Sequence, residues 1–125
     1  MKTTIKALTL IASTVFAGQA LSAELVCAVY AKSGGSSWGN GTANCEAFDY
    51  SFGSATGGRF YLKNVTKTVK EVRWNGSARC STTASTSCNA TIRAYATNQA
   101  TATILYTDGT WESTNVARAY YETGH

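Results

Sequence analysis

The stretch TATILYTDGTWEST, residues 101–114, carries two runs of alternating side-chain character on either side of Asp108-Gly109. A period of two sends successive side chains to opposite faces of a strand, and Asp-Gly between two such runs is a strong hairpin signal. A two-residue type I′ turn at Asp108-Gly109 pairs Tyr106 with Trp111 and Ile104 with Ser113 on one face. Ala102 shares that phase, as do Ala117, Ala119 and Tyr121 farther along, so this face is expected to look into a core. Thr101, Thr103, Thr107, Thr110, Glu112 and Thr114 fall on the other face, which should be solvated, with Leu105 as its apolar exception.

Outward from this hairpin the chain repeats the same grammar. Runs rich in β-branched and aromatic residues lie at 25–31, 45–52, 58–63, 67–74, 90–97, 100–107 and 110–121. Proline is absent, so turns fall to glycine with Asn or Asp, as at Asn40-Gly41, Asn75-Gly76 and Asp108-Gly109. About seven short strands and no helix predict an all-β fold, a small antiparallel β-sandwich. In strand count and spacing it resembles an immunoglobulin-like sandwich in general shape. It lacks the antibody-type Cys-Trp-Cys arrangement, and shape of this kind implies no function.

Residues 1–23 have the layout of a bacterial secretory signal peptide: Lys2 and Lys6, a mostly apolar run over 7–17, and small residues around Ala20 and Ala23. Residues 24–125 are then a single all-β domain, secreted or periplasmic, without a membrane span. Loss of Lys2 and Lys6 takes the formal charge from +4 to about +2. In an exported chain, Cys27, Cys45, Cys80 and Cys88 read as two disulfides, for which three pairings exist. Cys27 with Cys45 and Cys80 with Cys88 are favoured, because each pair flanks a segment rich in Gly, Ser, Thr and Asn. A zinc site has little support without a Cys-x-x-Cys and with the single histidine at position 125.

The aromatic and basic residues carry the binding expectations. Trp111 is expected in the core against Tyr106, and Trp74, in phase with Val72, is expected to be buried too. Trp38 lies in the polar segment SGGSSWGNG, residues 33–41, where a large ring is either folded back on the core or displayed to a ligand. Arg59, Lys63, Lys67, Lys70, Arg73 and Arg79 fall within 21 residues against Glu71 alone, with Tyr61 interleaved. Such a segment either keeps an edge strand soluble or attracts an anionic partner. No RNA-binding or zinc-finger signature accompanies it, so nucleic acid is not the expected partner.

Catalytic chemistry finds few residues to use. The aspartates are Asp49 and Asp108, the second assigned to a turn, and Glu46, Glu71, Glu112 and Glu122 show no distinctive spacing. No phosphate loop, metal site or cofactor is expected. The expected function is therefore non-catalytic recognition of an extracellular protein or glycan, including an anionic one, as an inhibitor, toxin component or adhesin-like module. Trp38, Arg59, Tyr61, Lys63, Lys67, Lys70 and Arg73 are the candidate contacts. The alternative is a small basic secreted nuclease or other hydrolase, built on one glutamate, one arginine and His125.

Overall fold

The computed structural model describes residues 22–124; residues 1–21, most of the expected signal peptide over 1–23, and His125 lie outside them. Among the described residues nine strands form, with no helix. They are β1 (Glu24–Val29), β2 (Ser36–Trp38), β3 (Asn44–Phe48), β4 (Ala55–Lys63), β5 (Val69–Gly76), β6 (Ser87–Arg93), β7 (Asn98–Tyr106), β8 (Trp111–Ser113) and β9 (Ala117–Glu122). A smaller sheet has the order β1-β4-β6, and a larger one the order β2-β3-β9-β7-β5, with β8 also paired to β7. Most neighbours are antiparallel, as expected, but β3 and β9 run parallel. The additional strands come from β2, in the segment of Trp38, and from division of the expected 110–121 strand into β8 and β9.

Alternation decides what each sheet gives to the core. The smaller sheet turns Leu25, Phe60 and Ile92 inward, all fully buried, while β7 and β9 present Ala100, Ala102, Ile104, Ala117, Ala119 and Tyr121. The alanines of β7 and β9 leave room for the large rings of Phe60, from the smaller sheet, and of Tyr121, from β9 itself. Burial of each large apolar side chain contributes about 1.5–3 kcal/mol before entropy is set against it. Both disulfides have the favoured pairing. Cys27–Cys45 links β1 to β3 and thereby one sheet to the other, and Cys80–Cys88 closes the loop before β6.

The hairpin at Asp108-Gly109 forms with a different register. The Tyr106 amide donates to the Thr110 carbonyl at 2.9 Å, and the Gly109 amide donates to the Tyr106 carbonyl at 3.0 Å. Gly109 has φ +87°, which completes a three-residue loop of turn plus left-handed residue in place of the two-residue turn. The Asp108 carboxylate accepts from the Thr110 amide at 2.9 Å and holds that shape. Leu105 therefore faces Trp111, and Ile104 faces Glu112. A slip of one residue exchanges the two faces of a strand. Trp111, expected in the core, is 66% exposed, and Glu112, expected in solvent, turns inward to accept the Tyr106 phenol at 2.6 Å.

Residues 114–116 break the strand and correct the phase. Thr114 both donates to the Ala102 carbonyl at 2.9 Å and accepts the Ala102 amide on its hydroxyl at 3.0 Å. The Asn115 side chain accepts the Leu25 amide and donates to the Leu25 carbonyl, each at 2.9 Å, which fastens the start of β1. Beyond the break, β9 pairs with β7 one residue out of step with β8, so Ala117, Ala119 and Tyr121 do face the core. Trp74 is half-buried against the core, as expected, although its indole nitrogen has no hydrogen-bond partner there.

Candidate functional site

Inward placement of Ala119 and Tyr121 forces Tyr120 outward, and the parallel register puts it beside Glu46 of β3, which pairs in turn with Trp38 of β2. One row thus crosses three strands on the outer face of the larger sheet: Trp38, Glu46, Tyr120. The row below it holds Asn44 and Arg118, with Gln99 of β7 next. Tyr95 comes over from the β6–β7 connection. Trp38, Tyr120 and Tyr95 are 53%, 41% and 57% exposed, and together with Asn44, Glu46 and Arg118 they border an open groove of about 580 Å³.

The groove walls are held firmly. A Cβ on Gly39, at φ +70°, would fall on the Asn44 carbonyl oxygen, so only glycine lets the chain turn this tightly after Trp38. The loop is pinned to β1: the Asn40 side chain accepts the Val29 amide at 3.0 Å, the Gly41 amide donates to the Cys27 carbonyl, and Cys27–Cys45 lies alongside. Trp38 is accordingly exposed on a braced strand and is not folded back on the core. Tyr95 adopts φ +56°, an uncommon conformation for a tyrosine. Its amide donates to the Tyr121 carbonyl at 3.0 Å and its phenol to the Thr123 carbonyl at 2.8 Å.

The groove combines charged and neutral donors and acceptors. Local desolvation raises the Tyr120 phenol above its ordinary pKa, and the Glu122 carboxylate, with smaller effects of Tyr95 and Glu46, pushes the same way. The phenol therefore stays protonated, with Glu122 as its hydrogen-bond acceptor. Arg118 and Asn44 add donors, Glu46 an acceptor, and the rings offer flat apolar faces. This combination can stack one side of a ligand while hydrogen-bonding its edge.

The basic segment is divided between surfaces. Arg59, Tyr61 and Lys63 lie on the outer face of the smaller sheet, in its central strand rather than an edge, where the Arg59 guanidinium stacks 4.3 Å from the Tyr61 ring centroid. Lys63 donates to the Gly41 carbonyl at 2.7 Å. Lys67 reaches the hairpin tip, 3.4 Å from Asp108 and 2.9 Å from the Thr110 hydroxyl. On β5, Lys70 is exposed and Arg73 pairs with Glu71 at 2.9 Å. Trp38 is on the larger sheet and Arg59, Tyr61 and Lys63 are on the smaller one, with the Lys63 contact to Gly41 joining the two at the loop after β2. The carboxylates are similarly distributed, with Asp49 buried, Glu71 paired, Glu112 turned inward, and Glu46 and Glu122 on the side of the groove.

Tyr120, Tyr95, Asn44 and Arg118 were not among the sequence-based candidates. Tyr120 was within reach, because alternation sends it outward once Tyr121 faces the core; nothing local singles out the other three. Among the described residues no group of three or more His, Cys, Asp or Glu is placed to hold a metal ion, and no helix is long and apolar enough to cross a membrane. Compared with family models, curated proteins and solved structures, the chain matches none.

Proposed function

We propose that this chain is an exported, non-catalytic glycan-binding module whose ligand lies in the groove of Trp38, Tyr120 and Tyr95. The observation that carries this reading is the cross-strand row in which two exposed rings flank Glu46 on a braced sheet. Sugar rings present apolar C–H faces and hydroxyl edges, and the groove offers flat rings for the first and Glu46, Arg118, Asn44 and the Tyr120 phenol for the second. Sites built on strands hold such geometry better than loops do. A protein partner is less well matched, since the core of a protein interface is depleted of charge and this groove has charged groups at its centre. Two disulfides in a small domain accord with export into an oxidising compartment.

The test is retention on insoluble polysaccharides and on a glycan array, with Trp38→Ala and Tyr120→Ala beside the parent protein. Loss of retention by about tenfold or more, with an unchanged thermal midpoint, is expected for each variant. A parent protein retained by no glycan overturns the reading. The hydrolase alternative draws on the same groove, where Glu46 and Arg118 are diagonal neighbours on adjacent strands. Release of soluble products from RNA or from a bound glycan, lost in Glu46→Gln, would replace binding with catalysis.

A further inference from the structure

The larger sheet carries a second cleft, of about 310 Å³, lined by Glu71, Arg73, Thr103, Leu105 and Trp111. It opens on the same face as the first, because Trp111 pairs with Leu105 and Arg118 with Gln99, all of which point away from the core. Leu105 and Gln99 are six residues apart on β7, and Tyr120 lies two residues beyond Arg118. At ~3.3 Å per residue Trp111 and Tyr120 are therefore about 26 Å apart along the strands.

Between them the face carries hydroxyl and amide side chains, Thr103, Thr101 and Gln99 on β7 and Ser113 on β8, up to the Arg118 guanidinium at the first cleft. Charge on this face is close to balance, Arg73 and Arg118 against Glu46, Glu71 and Glu122, with Arg73 already paired to Glu71. Arg59 and Lys63 are on the opposite sheet, whereas Lys70 is exposed at the bulge of β5, the edge strand of this sheet. An anionic polymer would find no complementary field here, and a protein partner would find no apolar core to cover between the two tryptophans.

We propose that both clefts belong to one binding track, on which Trp38 with Tyr120 and then Trp111 stack successive parts of a single extended, uncharged polysaccharide chain. The proposal rests on the glycan reading above and deepens it from a local sugar site to recognition of chain length. The three-residue loop at Asp108-Gly109 then has a functional correlate, since the register it sets places Trp111 on the ligand side of the sheet.

The test is calorimetric titration with cello-, chito-, xylo- and manno-oligosaccharides, disaccharide against hexasaccharide, for the parent, Trp38→Ala, Trp111→Ala and Trp111→Phe. A hexasaccharide is expected to bind at least about tenfold tighter than its disaccharide. Trp111→Ala should remove most of that gain without changing disaccharide affinity, Trp111→Phe should restore part of it, and Trp38→Ala should weaken both ligands. Added sodium chloride should leave the affinity nearly constant, because no phosphate-like charge is neutralised. A Trp111→Ala protein that binds the hexasaccharide as the parent does overturns the track and leaves the local glycan site standing. A steep salt dependence, or preference for a sulfated hexasaccharide, overturns the uncharged ligand. Absence of binding by the parent overturns both readings.

Discussion

The Tyr121 phenol donates to the Asp49 carboxylate at 2.8 Å with both side chains fully buried. The same carboxylate accepts the Lys32 amide at 2.9 Å, the Ser51 amide at 3.0 Å and the Ser51 hydroxyl. β9 is thereby joined to the segments that follow β1 and β3. Burial by itself would push this carboxyl up, but the hydrogen bonds from Ser51, the Lys32 backbone and Tyr121 outweigh it and bring its pKa down to about 2.

Asp49→Asn replaces an acceptor oxygen with an NH₂ group among inward-pointing donors, and is expected to cost about 2–3 kcal/mol. Tyr121→Phe, which removes one donor and keeps the ring, should cost about 1 kcal/mol. Equilibrium urea denaturation checks both, and an Asp49→Asn variant as stable as the parent would show that the network contributes nothing.

The sign of the pH effect follows from the depressed pKa. A carboxyl that loses its proton more readily folded than unfolded stabilises fully above the unfolded value near 3.8, and that contribution disappears as the pH falls through about 2. Stability of the parent should therefore decline between about pH 4 and pH 2, and the decline should be shallower in Asp49→Asn. Urea midpoints at several pH values compare the two slopes.

The hairpin register separates two variants that the two-residue turn would make alike. Trp111→Ala should change stability by less than about 0.5 kcal/mol, as for an exposed side chain, whereas Tyr106→Ala should cost about 3–5 kcal/mol. Gly109→Ala, which meets no atom within 4 Å, isolates backbone strain at φ +87° and should cost about 1 kcal/mol. A large loss in Trp111→Ala would return that ring to the core.

The two disulfides should contribute unequally. Removal of Cys27–Cys45 by a double alanine substitution frees the longer loop, 18 residues apart in sequence, and is expected to cost about 3 kcal/mol. Cys80–Cys88, 8 residues apart, should cost about 2.5 kcal/mol or less. The first variant should also loosen Trp38 and weaken glycan retention; the second should leave retention intact.

Legibility differed along the chain according to how local the deciding contact was. The inward set Ala102, Ile104, Tyr106, Ala117, Ala119 and Tyr121 was readable because pleating alone imposes alternation. Trp111 was misplaced because Asp-Gly serves a two-residue and a three-residue loop equally well. The choice rests on partners such as Glu112 with Tyr106 and Asp108 with Thr110. Trp38 was recognisable as a contact candidate from its polar surroundings, but its companions were not, since Glu46 and Tyr120 are 74 residues apart and meet only through a parallel pairing.

Residue order by itself determined the all-β class, the approximate strand positions, the cysteine pairs worth favouring, and which side of β7 and β9 faces inward. All of these follow from alternation, turn chemistry and loop composition, which act over a few neighbouring residues. Tertiary structure alone decided the β8 register, the separation of the basic residues onto opposite sheets, and the meeting of Trp38, Tyr120 and Tyr95. Those outcomes depend on which strands become neighbours, and that is settled by burial and long-range hydrogen bonds summed over the whole sandwich.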